Sequence, residues 1–259
     1  MINSEQHVTI KNNKYKHMKK VGFLVFLTIV LVSCSSKNSS ENKLELIKTI
    51  RLTIPEPSGI TSFNGMLFIV SDRNGVIYKI SFEGKILHKI KTNFDDLEGI
   101  TIDENSKNIL VVSEEDRALI VLDSLGDFIR KIKIKGKQKY HNGGLEGICF
   151  YEDTLCIINE KSPKQLLLLN MEGEIFDKIK LNYSKDISGI CFDQSSNSFW
   201  IVSDESALIL NINKKGEFIK SFKIPIKKAE GIVIYKDTIY VVSDSSNKLY
   251  IFKNPIQKV

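Results

Sequence analysis

The chain has 259 residues, 42% apolar and 26% charged, the composition of a globular protein rather than a disordered or fibrous one. Its formal charge of +6 is concentrated at the start: Lys11, Lys14, Lys16, Lys19 and Lys20 against Glu5 put +4 on residues 1–33 and leave +2 on residues 34–259. So small a surplus over a whole domain excludes the electrostatic footprint of a nucleic-acid-binding protein.

In chain order, the first predicted element is a secretory signal over residues 1–33. A basic patch, "KHMKK", precedes the apolar run "VGFLVFLTIVLVS", the sequence of regions that directs export. The run falls short of the roughly 20 residues that a membrane span needs. Met18 is an alternative true start, because "MKKVGFLVFL" alone has the required charge and length. Leu31-Val32-Ser33-Cys34 resembles the lipobox of bacterial lipoproteins, in which the cysteine is lipidated and becomes the new N-terminus. The competing readings are an uncleaved anchor or a buried strand. Residues 34–43, with "SSKNSSENK", have the composition of a flexible tether. These features predict a lipoprotein of the bacterial cell envelope, held to the membrane through Cys34 and facing the periplasm or the exterior.

From residue 44 to 259 the pattern changes to short apolar runs separated by turn signals, which read as strands; no stretch sustains helical periodicity. "LIKTIRL" at 46–52 stands alone. After it come five hairpins, each opening on a Gly-Ile step at Gly59, Gly99, Gly147, Gly189 or Gly231 and closing on an acid. Asn64-Gly65 between two apolar runs predicts a type I′ turn. Gly84, Gly126, Gly173 and Gly216 fall between the third and fourth strands of their units, where glycine's tolerance of positive φ suits a turn. A repeat of roughly 40 residues with four strands predicts a β-propeller, here all-β with five four-stranded blades. The fifth unit lacks an outer strand after "KLYIFKNP", and "LIKTIRL" resembles the outer strands "FIRKIKI" and "FIKSFKI". The N-terminal strand is therefore expected to close the ring by pairing into the last blade, leaving a domain expected to be monomeric.

Besides Cys34, the cysteines are Cys149, Cys156 and Cys191. A turn centred on Glu152-Asp153 sets Cys149 opposite Cys156, where a cross-strand bridge is conceivable but commonly strained. The favoured expectation is three small buried apolar side chains.

In a propeller the first strand of each blade lines the channel and the second runs back beside it, so the two ends of each hairpin meet at one rim. The spacing from the glycine to the later acid is 13, 15, 13, 15 and 13 residues, always odd, so the insertions preserve the facing of the second strand. One ring then contains Ser58, Glu98, Glu146, Ser188 and Glu230; the other contains Asp72, Glu114, Glu160, Asp204 and Asp244. Eight carboxylates near one axis must protonate, stay solvated or share a cation. Oxygen-only ligands point to calcium first and magnesium second. Zinc is disfavoured because the mature domain's histidines, His88 and His141, lie in neither ring. Ser-Asp pairs at strand ends also cap turns, a duty expected of the second ring in several blades; Glu98, Glu146 and Glu230 are the stronger metal candidates.

The repeated "(E/S)GI … V(S/N)(D/E)" pattern, from about Leu44 onward, resembles the SdiA-regulated family, also called YjiK-like. The resemblance implies a five-bladed propeller, distantly similar to NHL-repeat proteins, with a calcium site and no established catalysis. Ser58 and Ser188 depart from a symmetric glutamate ring and favour an off-centre site. Two functions follow: a binding module for an unidentified small molecule or protein at the channel mouth, or a metal-dependent hydrolase resembling the gluconolactonase propellers. In the latter, Asn159 or Asn142 would complete the ligand set and the metal would polarise a lactone carbonyl.

Overall fold

The computed structural model describes residues 42–136 and 143–256. The signal segment 1–33, Cys34 and most of the 34–43 tether lie outside the described residues, as do His141 and Asn142.

Strand β1 is Leu46–Arg51. The first Gly-Ile unit gives β2 (Pro57–Phe63), β3 (Met66–Ser71), β4 (Val76–Ile80) and β5 (Ile86–Lys91). The second gives β6 (Leu97–Ile102), β7 (Ile109–Ser113), β8 (Ala118–Leu122) and β9 (Phe128–Lys133). The third is β10 (Leu145–Tyr151), β11 (Thr154–Asn159), β12 (Gln165–Leu169) and β13 (Ile175–Lys180). The fourth is β14 (Gly189–Asp193), β15 (Ser198–Ser203), β16 (Leu208–Asn213) and β17 (Phe218–Lys223). The last supplies three strands, β18 (Ala229–Tyr235), β19 (Thr238–Ser243) and β20 (Lys248–Lys253). Each unit is one four-stranded antiparallel sheet in sequence order, except that the last sheet runs β1-β20-β19-β18. The chain is an all-β, five-bladed propeller.

The outer strand of blade five is thus the first of the described strands, with Ile50 opposite Leu249 and Arg51 opposite Lys248. Ile50 also does the packing job of an outer-strand residue. Its methyl lies only 2.7 Å from where a Cβ on Gly84 would stand. Ile90, Ile132 and Ile179 occupy the same place against Gly126, Gly173 and Gly216. Those four glycines all have positive φ, between 79° and 97°, so neither the backbone nor the space there accepts a side chain.

The core is five seams, one between each pair of neighbouring blades. In the seam joining blades five and one, Leu52 and Ile54 pack with Ile69, Tyr78, Val242 and Leu249. Between blades four and five, Trp200 stacks on Phe222 at 5.7 Å. Sheets buried on both faces account for strands such as Ile109–Ser113 with no exposed position. Toward the axis the seams narrow until backbones touch. A Cβ on Gly59 would stand 2.5 Å from the Glu98 carbonyl oxygen, and one on Gly147 would stand 2.7 Å from the Ile190 nitrogen. Glycine opens every hairpin because an inner strand there lies against its neighbour's main chain.

Smaller expectations resolve cleanly. Asn64 and Gly65 both have positive φ, 48° and 72°, as a type I′ turn requires. Cys149 is the direct cross-strand partner of Cys156, and Cys149, Cys156 and Cys191 are buried free thiols.

Candidate functional site: an acidic channel mouth

Hairpin geometry brings all eight predicted carboxylates to one place. Asp72, Glu98, Glu114, Glu146, Glu160, Asp204, Glu230 and Asp244 line a single cavity of about 420 Å³ at one mouth of the ring, together with Ser58 and Ser188. The structure adds four acids that the two-ring reading missed: Glu56, Asp96, Asp186 and Glu205. Three of these belong to a third ring, three residues before each Gly-Ile glycine, where the chain has Glu56, Asp96, Gly144, Asp186 and Lys228. Glu56, Asp96 and Lys228 sit there with positive φ, in loops that no hydrophobic period marks.

Local chemistry explains why acids, and not their neighbours, face the cavity. The residue before each second-ring acid is buried, and in blades one, four and five it ties the loop that enters its own blade. The Ser71 hydroxyl donates to the Pro55 carbonyl at 2.5 Å, and Ser243 donates to the Lys227 carbonyl at 2.7 Å. Ser203 donates to the Asp186 carboxylate. Asn159 takes this place in blade three: its amide donates to the Lys161 and Pro163 carbonyls at 2.9 and 3.0 Å, and its oxygen accepts from Arg117 at 2.7 Å. Asn159 is therefore spent as a structural clamp and does not reach the cavity, contrary to the ligand role considered for it. With the serine or asparagine turned inward, strand alternation sends the following acid to the mouth.

Capping also differs from expectation in which blade it serves. Glu114 accepts from the backbone N–H of Gly143 and of Gly144, both at 2.6 Å, and Asp204 accepts from the Lys228 N–H at 2.5 Å. These second-ring acids hold the entry loop of the next blade, not their own turn.

Two acids of the second and first rings meet one of the third. Carboxylate oxygens of Asp72, Asp96 and Glu98 all lie within 4.8 Å of one another, the one such trio of His, Cys, Asp or Glu among the described residues. Asp72 comes from blade one, Asp96 and Glu98 from blade two. The Ser58 hydroxyl donates to Glu98 at 2.5 Å, so a serine of the first ring supports the glutamate beside it.

The electrostatics register the crowding. Burial, then Asp96, Glu56 and Asp244, push Asp72 up to about 6. Burial, then Asp72, drive Glu98 well above the usual carboxylate range, against the hydrogen bond from Ser58. Burial, then Glu98, do the same to Glu146. Glu230 rises to about 7 through burial, although Lys228 opposes it. Burial also raises Glu114, Glu160 and Asp244. The counter-charges in the lining are Lys161, which bridges Glu160 and Glu205 at 2.9 and 2.8 Å, and Lys228, whose ammonium is stabilised first by Glu230. Twelve carboxylates face two lysines, a mouth built to receive positive charge.

A five-bladed propeller with one acidic mouth is the class that fold and site define. A sequence model described as SdiA-regulated matches residues 40–253, and the chain belongs to that family. Among solved structures, it is similar to glutaminyl cyclase from Myxococcus xanthus, at 12% identity over 82% of this chain and 98% of that one, with a TM-score of 0.66. It is also similar to virginiamycin B lyase from Staphylococcus aureus, at 20% identity over 76% of this chain and 66% of that one, with a TM-score of 0.50. A protein of unknown function from Bacteroides caccae matches at 9% identity over 72% and 70%, with a TM-score of 0.53. At these identities the likeness is one of fold alone.

Proposed function

We propose that the chain is a lipid-anchored binding propeller of the cell envelope, whose acidic mouth holds a calcium ion and presents it to a ligand or partner. The observation that carries this reading is the convergence of Asp72, Asp96 and Glu98. The donor set fits the ion: three carboxylates, oxygen only, from two blades, off the axis as the serines at 58 and 188 suggest. Calcium takes about six to eight oxygens, so three carboxylates leave positions for water or for oxygens of a ligand. Bound there, the ion would supply two positive charges that offset the repulsion raising Asp72 and Glu98. Glu98 is positioned by Ser58, and Asp96 is steadied by accepting from the Glu115 N–H.

Binding is favoured over hydrolysis by the makeup of the mouth. Among the described lining residues there is no histidine, cysteine or amide side chain, and Asn159 is committed elsewhere. The anchor rests on the basic patch, apolar run and "LVSC" in series; Cys34→Ala should move the protein from the membrane fraction to the soluble one, and unchanged membrane retention would count against it. The N-terminal strand in turn is proposed to lock the ring, since β1 supplies the outer edge of blade five.

The deciding measurement for the metal is thermal unfolding with chelator and with millimolar calcium. Wild type should gain about 2.7 kcal/mol at a hundredfold excess over Kd, and Glu98→Gln or Asp96→Asn should lose most of that gain. A wild-type midpoint indifferent to chelator and to calcium would sink the reading.

A further inference from the structure

The carboxylates of the acidic mouth separate by what already binds them. Asp72, Asp96 and Glu98 form the trio suited to a metal ion. Glu114 and Asp204 accept backbone N–H groups of the next blade. Glu160 and Glu205 share the Lys161 ammonium. Glu146, Glu230 and Asp244 have none of these, and of the three only Glu146 is buried. Its side chain lines the cavity and its residue is only 9% exposed, yet it makes no hydrogen bond or ion pair with any described residue. It also stands outside the metal trio. Buried polar groups are overwhelmingly partnered, because leaving one uncompensated is strongly destabilising. An orphaned carboxylate aimed into a cavity is the position a ligand completes.

The chemistry of that ligand is set by the walls. They offer acceptors almost exclusively, so a partner must donate hydrogen bonds and carry positive charge. Lys161 shows how the mouth receives such a group, with one ammonium held by carboxylates of blades three and four. The cavity of about 420 Å³ falls in the range of small-molecule sites, roughly 300–1,000 Å³, and far exceeds the volume of one ion. We propose that Glu146 anchors a primary ammonium group of the ligand, next to the metal trio. The inference rests on the reading of this mouth as the recognition surface. The ammonium belongs either to a free diamine or to a lysine side chain of a partner protein.

Isothermal titration tests it at constant ionic strength and about pH 8.5, where a primary amine stays charged and protons compete least for the carboxylate. The probes are cadaverine, Nα-acetyl-lysine amide and tetramethylammonium, each with calcium present. Tetramethylammonium carries the charge without an N–H donor. Wild type should bind cadaverine or the lysine amide at least about tenfold more tightly than tetramethylammonium, and Glu146→Gln should erase that preference while keeping the calcium response. Glu146→Asp, which retains the charge but retracts it, should fall between. The better of the two amines identifies the source, diamine or protein side chain. Equal binding of amine and tetramethylammonium, or a preference that survives Glu146→Gln, overturns the proposal. Loss of the calcium response in Glu146→Gln also overturns it, by assigning Glu146 to the metal, and leaves the calcium reading intact. An amine preference in a wild type that ignores calcium supports this proposal and rejects the metal.

Discussion

The two mouths of the ring are made from the two ends of the same five hairpins, and they differ in nearly everything else. At the acidic mouth, carboxylates of neighbouring blades converge on a cavity of about 420 Å³. At the other, a cavity of about 860 Å³ is lined by Thr61, Thr101, Cys149, Cys191 and Val233, two residues after each Gly-Ile glycine, with Phe63, Phe192 and Tyr235 further out. That mouth has acids too, and two of them, Asp103 and Asp193, are locally occupied. Asp103 accepts from Asn105 and Ser106, and although burial works against it, those bonds hold its carboxyl below the usual range. Asp193 accepts from the Ser195 N–H and the Ser196 hydroxyl. The lesson is that a carboxylate's role is decided by whether its partners are its own turn or another blade. Asp103 and Asp193 are satisfied within a few residues, whereas Asp72, Asp96 and Glu98 are left facing one another.

The severest way to break the contrast is to remove what holds both mouths in place. Deleting residues 44–53 spares every Gly-Ile hairpin but strips β1 from β20 and Leu52 from the seam of blades five and one. The loss should approach the whole stability of a domain, about 5 kcal/mol or more. Both mouths should then fail together, read as loss of the cooperative unfolding transition; an unaltered midpoint would refute the locking role of β1.

Next in size is a comparison of two glycines at opposite ends of one hairpin. Gly59→Ala drives a Cβ toward the Glu98 carbonyl and should cost about 3 kcal/mol, the upper range for overpacking. Gly65→Ala meets nothing within 4 Å and pays only for its φ of +72°, about 1 kcal/mol. Denaturant midpoints of the two variants decide it.

Acidity separates the mouths in a graded way. Glu230 at about 7 and Asp72 at about 6 lie above their ordinary values of 4.5 and 3.8, so between those limits the folded state binds more protons than the unfolded chain. Without divalent ions, stability should therefore fall as pH rises from about 4.5 to about 7, with Glu230 alone contributing on the order of 2–3 kcal/mol. Glu230→Gln should flatten the slope, and saturating calcium should reduce it. A metal-free protein whose stability rises over that window would contradict the crowding. The smallest effect belongs to the other mouth: Asp103→Asn should cost no more than about 1 kcal/mol and leave the calcium shift unchanged, as unfolding curves with and without calcium would show.

What was legible in the sequence follows the same division. The hairpins, the turn at Asn64-Gly65 and the two rings were readable because alternation and glycine placement are local rules. Asp96 was not, although it completes the trio. It sits in a loop, in left-handed backbone, at a position occupied elsewhere by glutamate, glycine, aspartate and lysine. Its nearness to Asp72 depends on how two blades are phased around the axis, which no period within one repeat encodes. The tie from Ser71 to the loop at Pro55 was hidden for a related reason. A serine before an acid reads as one capping unit, whereas the two side chains point to opposite sides of the strand.

The pairing of β1 with β20 also bears on the order of events in time. β1 precedes every other described strand, and its partner is made about 200 residues later, a wait of roughly 10–40 s at ordinary rates of synthesis. Four blades can assemble as they emerge, each within its own stretch of chain, but the fifth needs a segment that appeared before any of them. Until then β1 has an unpaired edge, and its lysine and arginine at 48 and 51 are the kind of charge that discourages wrong partners. Ring completion thus waits on a pairing between the earliest and the latest of the described strands.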